Sequence, residues 1–181
     1  MMLNCYIFRL LLVGSLALSI FSCSTKSTDS DEAEFRGNSK VVLQEDSNFF
    51  WIHGGIERCD TTQKIIHLAF TGDEYNDGGL HIREVLKRHD LKAHFFFTGN
   101  FYRVKAHHST IQGLIKDGHY VGAHSDKHLL YCTWENRDSL LVTKEEFTKD
   151  LLDNYHEMAK FGIQKEDANL FMPPYEWYNE S

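Results

Sequence analysis

From residue 64 onward, short apolar runs alternate with longer amphipathic segments, and this alternation limits the fold more than any other feature. The runs predicted as strands are 64–70, 93–99, 119–124 and 169–172. The segments predicted as helices are 78–90, 101–117 and 144–161. Regular alternation with short loops predicts an α/β fold built on a parallel sheet. In such folds the functional groups gather where the strands end, at their carboxyl ends.

The helix over 144–161 has the clearest signals at both ends. Thr143 and Glu146 have the spacing of a capping box, and Gly162 stands at the stop position. The apolar face consists of Phe147, Leu151, Tyr155 and Met158. The aromatic run at 95–97 is predicted to be core, whereas His107 and His108 are predicted to be solvated surface.

The beginning of the chain has the pattern of a lipoprotein signal. An apolar run of 12 residues, 10–21, is too short to span a bilayer and fits the apolar region of a signal peptide. Cys23 follows in a segment that resembles a lipobox, in which that cysteine is lipidated. The alternative is a buried N-terminal helix with an incidental cysteine. We therefore predict a signal peptide over 1–22, a polar tether over 23–48 and a folded domain over 49–181.

This organisation predicts a place in the cell envelope, at the periplasmic or outer-membrane surface, with the membrane contacted through the lipid. The whole chain has a net charge of −7, which argues against nucleic acid as a partner. No obligate protein partner is evident.

Cys59 and Cys132 remain after lipidation, and an oxidising compartment would permit a bridge between them.

Two histidines and one carboxylate form a candidate metal site. His124 and His128 are four residues apart, directly after the third predicted strand, and Asp73 follows the first. On one turn of helix this spacing places two imidazoles on the same side, and two imidazoles with one carboxylate leave open positions for water and substrate. The alternative is a chance pair of surface histidines in a chain that has 11 of them. The predicted cofactor is a divalent metal, with zinc as the expected ion.

The order FTGDE, KAHFFFTG, GHYVGAHSDKH and FMPPYEWYN resembles the polysaccharide deacetylases of the NodB-homology type, carbohydrate esterase family 4. The segment HSDKHLLYC is similar to a branch found in Bacteroidetes lipoproteins. The resemblance covers residues 64–181 and implies a distorted (β/α) barrel. It also implies a metal-dependent removal of acetyl groups from an acetylated polysaccharide of the envelope or the diet. The backbone N–H of Tyr175 is then the expected donor to the oxyanion. Trp177 and Tyr178 lie beside the third motif and are candidates to bind a sugar; the alternative is a structural role.

Two family positions differ in this chain. The family has a base Asp followed by a metal-binding Asp in its first motif, and an Arg that holds the base in its third. An ungapped reading puts Asp73 on the metal, Gly72 in the place of the base and Met172 in the place of the Arg. Glu74 is then the candidate for a relocated base. A reading shifted by one residue makes Asp73 the base and Glu74 the metal ligand.

The length of the domain predicts an incomplete barrel. Residues 49–181 number 133, whereas a closed barrel of this kind needs about eight βα units and 200 or more residues. The C-terminal half is therefore expected to be missing from this sequence. Two function classes remain open: a deacetylase, and a catalytically impaired deacetylase-like protein that binds metal and glycan without turnover.

Overall fold

The computed structural model describes residues 8–9, 49–59, 61–62 and 64–180. Cys23 and almost all of the predicted signal peptide and tether lie outside these residues. Within the described part, no helix is both long enough and apolar enough to cross a membrane. Cys59 and Cys132 are both free thiols.

The described elements begin with four strands, and from the fourth strand onward strands and helices alternate. The strands are β1 (Phe8–Arg9), β2 (Phe50–Ile52), β3 (Gly55–Arg58), β4 (Ala69–Gly72), β5 (His94–Phe97), β6 (Tyr120–Ala123) and β7 (Leu170–Phe171). The α-helices are α1 (Gly79–Arg88), α2 (Gly99–Arg103), α3 (His108–Lys116) and α4 (Lys144–Ala159). Short 3₁₀ turns cover Lys105–His107 and Pro174–Glu176.

The main sheet has the order β1-β7-β6-β5-β4. Strands β4 to β7 are mutually parallel, β1 pairs antiparallel with β7, and β2 and β3 form a separate antiparallel hairpin. Gly72 is in register with Phe97, Phe97 with Ala123, and Ala123 with Phe171. The four parallel strands therefore end level with one another, and the loops that follow them share one edge of the sheet.

The core lies between this sheet and its helices. All three rings of the 95–97 run are buried, which confirms the prediction that they are core. Helix α4 has the predicted capping box, because the Thr143 hydroxyl accepts from the Glu146 N–H and the Glu146 carboxylate accepts from the Thr143 N–H. Met158 and Tyr155 of the predicted face are buried, and Gly162 follows the helix with a φ of 80°.

The first predicted strand is shorter than expected and starts later. The prediction of a buried strand over 64–70 is wrong for residues 64–68, because β4 begins at Ala69 and Ile65 and Ile66 are exposed. The strand begins here because Ala69 pairs with His94, which is the first residue of the neighbouring strand β5. Residues before Leu68 have no neighbouring strand to bond with in the described structure.

The predicted helix over 101–117 is interrupted. It consists of α2, a 3₁₀ turn and α3, with Val104 extended between the first two. The ring of His107 bonds to the Phe101 carbonyl, and the ring of His108 bonds to the Tyr102 carbonyl. These imidazoles occupy carbonyls that a continuous helix would bond through its own N–H groups. The prediction that both histidines are solvated is therefore wrong, and His107 is buried.

The far end of the sheet gives a testable pH dependence. The buried ring of His119 accepts the Ala93 N–H through Nδ1, at 3.3 Å, and burial lowers the pKa of this histidine below its usual 6.5. The unfolded chain therefore binds the proton first as the pH falls below 6.5, so the free energy of unfolding should decrease in that window. Urea unfolding at pH 7.5 and pH 5.5 should show this loss.

The H119N variant should lose less stability between these two pH values, because the Asn carbonyl accepts the same N–H and does not titrate. The difference from the parent should be about 1 kcal/mol, because each pH unit over which only the unfolded chain binds the proton lowers the free energy of unfolding by about 1.4 kcal/mol. H81N, which changes an exposed histidine, is the matched control and should behave like the parent. An equal loss in H119N and the parent would contradict the prediction.

Candidate active site

Three loops meet at the level edge of the sheet. Asp73 directly follows β4, His124 directly follows β6, and residues 172–178 follow β7. The Met172 N–H donates to the Ala123 carbonyl at 3.0 Å, which keeps the last two loops side by side. The structure thus brings together residues that are up to about a hundred positions apart in sequence.

His124 is fixed from both its ring and its backbone. It is 2% exposed, its Nδ1 lies 2.6 Å from the Met172 carbonyl, and its N–H donates to the Asn154 side-chain oxygen at 2.9 Å. A carbonyl can only accept, so Nδ1 carries the hydrogen and Nε2 keeps its lone pair. This tautomer, with one nitrogen bonded to the protein, is the usual form of a metal-binding histidine.

His128 lies beside His124, with 5.0 Å between the ring centroids. It has a φ of 58°, in the left-handed region, so the 124–128 segment is a turn and the predicted helical turn is wrong. Burial lowers the pKa of His124 to about 4, and it also lowers the pKa of the half-buried His128. Both rings are therefore neutral at pH 7, the state that a metal ligand requires.

Asp73 is the carboxylate whose charge acts on both rings. Its charge raises the pKa of both His124 and His128, whereas their burial lowers it. Its Oδ1 accepts from the Thr98 hydroxyl at 2.7 Å and from the Asn100 amide at 3.2 Å. Glu74 is exposed and is not among the groups that shift either histidine.

Helix α4 holds the turn that carries the histidines. The buried carboxylate of Asp150 accepts from the Ser125 hydroxyl at 2.6 Å, from the Asp126 N–H at 2.9 Å and from the Lys127 N–H at 3.0 Å. Asn154, one turn further along the helix, joins the His124 N–H to the Phe97 carbonyl. The turn is therefore anchored to a rigid element at every residue from 124 to 127.

A second group of contacts connects this turn to the Asp73 loop. The Arg103 guanidinium donates to the buried carboxylate of Asp126 and to the Asn100 oxygen, and its Nε lies 3.4 Å from the Glu157 carboxylate. Asn100 in turn donates to Asp73. Arg103 therefore bonds directly to the turn, reaches Asp73 through Asn100, and is tied to α4 by its ion pair with Glu157.

The donor set matches a divalent ion in chemistry. Two neutral imidazoles and one carboxylate are the ligands of many catalytic zinc sites, and the Met172 bond to His124 is the expected outer contact. Among the described residues, however, no three His, Cys, Asp or Glu side chains already have the spacing of a formed metal site. The residues fit the metal by type and protonation, and their side chains would need to converge around it.

The place predicted for a base is closed by aromatic packing. A Cβ built on Gly72 would lie 2.9 Å from ring atoms of both Phe97 and Phe101. These two rings are buried and stacked, with 4.2 Å between centroids. Met172, in the place of the Arg, is also buried. The two positions are thus filled by apolar contacts, and an Asp at 72 would have to displace a stacked pair.

The segment after β7 has an unusual backbone. Tyr175 and Glu176 both have positive φ, 61° and 50°, and the Tyr175 ring lies 4.5 Å from the His128 ring. Burial raises the pKa of the half-buried Glu176 above its usual 4.5. Trp177 donates to the Thr133 carbonyl at 3.1 Å and has the Arg137 guanidinium over its ring at 3.5 Å.

Tyr178 is 7% exposed, and its hydroxyl lies 3.4 Å from the Ile52 carbonyl. Its ring face is therefore not accessible to a sugar. Of the two residues predicted to bind sugar, only Trp177 keeps a partly exposed ring.

Sequence reasoning missed the supporting residues of the site. Asp150 and Asn154 are buried on the same side of α4 as its apolar face, and the apolar pattern by itself does not predict polar residues there. The pattern that marks them is a pair of short polar residues, four positions apart, among the apolar residues Phe147, Leu151, Tyr155 and Met158. Glu176 carried no signal in the sequence, because its burial and its backbone angle are properties of the fold.

Comparison with known proteins identifies relatives of this arrangement. The family model described as polysaccharide deacetylase matches residues 58–181. The peptidoglycan-N-acetylmuramic acid deacetylase PdaA of Bacillus subtilis is 29% identical over 115 residues, which are 64% of this chain and 39% of that protein.

Two solved structures are also similar. The peptidoglycan deacetylase PdaC of Bacillus subtilis is 28% identical with a TM-score of 0.52, over 65% of this chain and 52% of that one. A family 4 carbohydrate esterase of Bacillus anthracis is 25% identical with a TM-score of 0.55, over 74% of this chain and 57% of that one. The chain spans about two fifths of the length of the curated relatives that it matches.

The anchoring of the turn predicts an effect on metal affinity. D150A removes the acceptor of three hydrogen bonds, so the turn with His124 and His128 should lose its fixed geometry. Zinc affinity should fall by about 10- to 100-fold, the usual effect of losing an outer contact. The measurement is a zinc titration against a chromophoric chelator, with circular dichroism to show that the variant is folded.

D153A is the matched control, because Asp153 lies on the same helix, forms a surface ion pair with Lys149 and acts on Arg103 only through its charge, without a hydrogen bond to the turn. It should bind zinc like the parent. The double variant H124A/H128A should bind no stoichiometric zinc. Unchanged affinity in D150A, or retained zinc in the double variant, would show that this turn is not the metal site.

Proposed function

The chain belongs to the polysaccharide deacetylase family, and from this premise we propose that it takes part in the metal-dependent removal of acetyl groups from a polysaccharide. The observation that carries the proposal is the placement of Asp73, His124 and His128 on loops at one edge of the sheet, with both imidazoles neutral and one of them oriented by Met172. A bound divalent ion supplies Lewis-acid chemistry, polarising the acetyl carbonyl and activating water.

The protein's own groups divide the remaining tasks. His124 and His128 would hold the ion through their free nitrogens, and Asp73 would hold it through the oxygen that Thr98 and Asn100 do not occupy. We further propose that the backbone N–H of Tyr175 donates to the oxyanion, as the family resemblance implies. The left-handed backbone at this residue supports a special role for its peptide group.

A carboxylate must replace the base that Gly72 cannot provide. Glu74 is adjacent to Asp73 and exposed, so it is free to move toward a bound substrate. Glu176 is the second candidate, because it is adjacent to Tyr175 and its burial raises its pKa toward the range where a base works well. Support for the ungapped reading, with Asp73 on the metal, comes from the effect of Asp73 on both histidines.

The proposed substrate is an acetylated polysaccharide of the cell envelope or the diet. PdaA and PdaC are described as peptidoglycan deacetylases, which makes an N-acetylated glycan the first substrate to test. The second candidate function is a glycan-binding protein without turnover. The closed packing around Gly72 and the buried Met172 favour it, because both partners of the expected ion pair are replaced by apolar contacts.

We also propose export as a lipid-anchored protein, supported by the apolar run at 10–21 and by Cys23, and membership of the Bacteroidetes lipoprotein branch, supported by the similarity of HSDKHLLYC. The parent should then sediment with membranes, and C23A should move to the soluble fraction or remain unprocessed. Fractionation followed by mass spectrometry of the first residue measures both effects. The same distribution and the same N-terminus in both proteins would count against anchoring.

The identity of the base can be tested by two conservative variants. Acetate release from acetylated chitooligosaccharides, with zinc added, should fall by about 10²–10⁴-fold in the variant that removes the base, either E74Q or E176Q. If Glu176 is the base, kcat/KM should fall as the pH decreases through its raised pKa, since only the carboxylate accepts a proton. E176Q should remove that limb.

E57Q is the control for this experiment, because Glu57 lies on the separate hairpin. It should release acetate like the parent. Equal activity of E74Q, E176Q and the parent would exclude both carboxylates. Glycan binding without any acetate release by the parent would favour the binding-protein alternative.

A further inference from the structure

The loop between β6 and α4 projects an aromatic ring beside the site. Its two sides bond to each other: the Thr133 N–H donates to the Ser139 carbonyl at 3.0 Å, and the Leu141 N–H donates to the Tyr131 carbonyl at 2.9 Å. Trp134 lies in this loop, and 52% of it is exposed. An indole exposed to this extent on a fixed loop is available to a ligand.

The aromatic rings form a continuous line that starts at the candidate metal site. The His128 ring is 4.5 Å from the Tyr175 ring, and the Tyr175 ring is 5.4 Å from the Trp134 ring. Tyr175 is 47% exposed, so its ring is open to solvent as well. The line therefore leads from the place of the reaction out to the surface.

Trp177 forms the support of this line. Its indole N–H donates to the Thr133 carbonyl, and its ring centroid is 5.6 Å from that of Trp134. The Arg137 guanidinium lies over the Trp177 ring. Arg137 also donates to the Tyr178 carbonyl, and its own carbonyl accepts from Asn179. These contacts fix the loop to the segment after β7, so the orientation of Trp134 is set before any ligand arrives.

We propose that Trp134, together with Tyr175, forms a subsite that stacks on a sugar ring next to the acetylated sugar. A pyranose has a flat face of C–H groups that packs on an aromatic ring, and its hydroxyls remain available to polar groups. The occupant is a glycan because the line begins at the site where an acetylated sugar would react. The inference rests on the proposed function and adds a residue that determines which glycans are held.

The test compares binding of N-acetylglucosamine and its β-1,4 tetramer to the full chain by isothermal titration calorimetry. W134A should weaken binding of the tetramer by about two- to tenfold, the range expected for one aromatic contact. It should not change binding of the monosaccharide, which fills only the reactive position. W134F should retain most of the tetramer affinity, because a phenyl ring keeps a stacking face.

L141A is the matched control, because Leu141 is similarly exposed in the same loop but is not part of the ring line. It should bind the tetramer like the parent. Equal tetramer affinity in W134A and the parent would overturn the subsite, and so would equal weakening in W134A and L141A, which would indicate a general disturbance of the loop.

Acetate release on the same samples separates this proposal from the proposed function. A parent that releases acetate while W134A and the parent have the same KM for the tetramer overturns the subsite alone. A parent that neither binds the tetramer nor releases acetate overturns both. A parent that binds the tetramer through Trp134 without releasing acetate supports the subsite and overturns the deacetylase activity.

Discussion

The site depends on the bond between the His124 ring and the Met172 carbonyl. At 2.6 Å it joins the end of β6 to the end of β7, and it selects the tautomer that leaves Nε2 free. The ring can be held this way only because the parallel strands end level, with Ala123 opposite Phe171. A backbone carbonyl is the acceptor, so the side chain at 172 can change without loss of this contact. A buried Met there is thus compatible with an intact histidine site.

The cost of burying one charge without its partner explains both Gly72 and Met172. A buried Asp–Arg pair is stable only when both charges are present, because one buried charge without its partner costs several kcal/mol. Replacement of both by apolar contacts avoids that cost, and here Phe97 and Phe101 fill the space beside residue 72. The fold therefore tolerates the replacement of the Asp–Arg pair. Proton transfer does not, because it then needs a new group.

The sequence predicted which strands and helices form better than it predicted the residues at which they begin and end. The alternation of apolar runs gave the parallel α/β sheet, and the capping box at Thr143 located α4, because these signals are local. The start of β4 depends on where β5 begins, and the break before α3 depends on two histidine rings bonding to carbonyls six residues back. The sequence offers His124 and His128 as a pair by their spacing, and it leaves two readings for Asp73 and Glu74. Asp150, Asn154 and Glu176 could not be identified this way, because burial assigns their roles.

The backbone shows where the fold stores strain. Of the six non-glycine residues with positive φ in the described chain, four lie in the two loops of the site: Ser125, His128, Tyr175 and Glu176. Each such residue costs about 1–2 kcal/mol relative to an ordinary conformation, so the surrounding contacts must offset several kcal/mol. The three hydrogen bonds to Asp150 do so in the first loop. In the second, the bonds of the Glu176 and Trp177 N–H groups to the Pro173 and Pro174 carbonyls do the same. Strain held this way fixes the directions of the histidine rings and the Tyr175 peptide before a substrate arrives, which is the condition for a preorganised site.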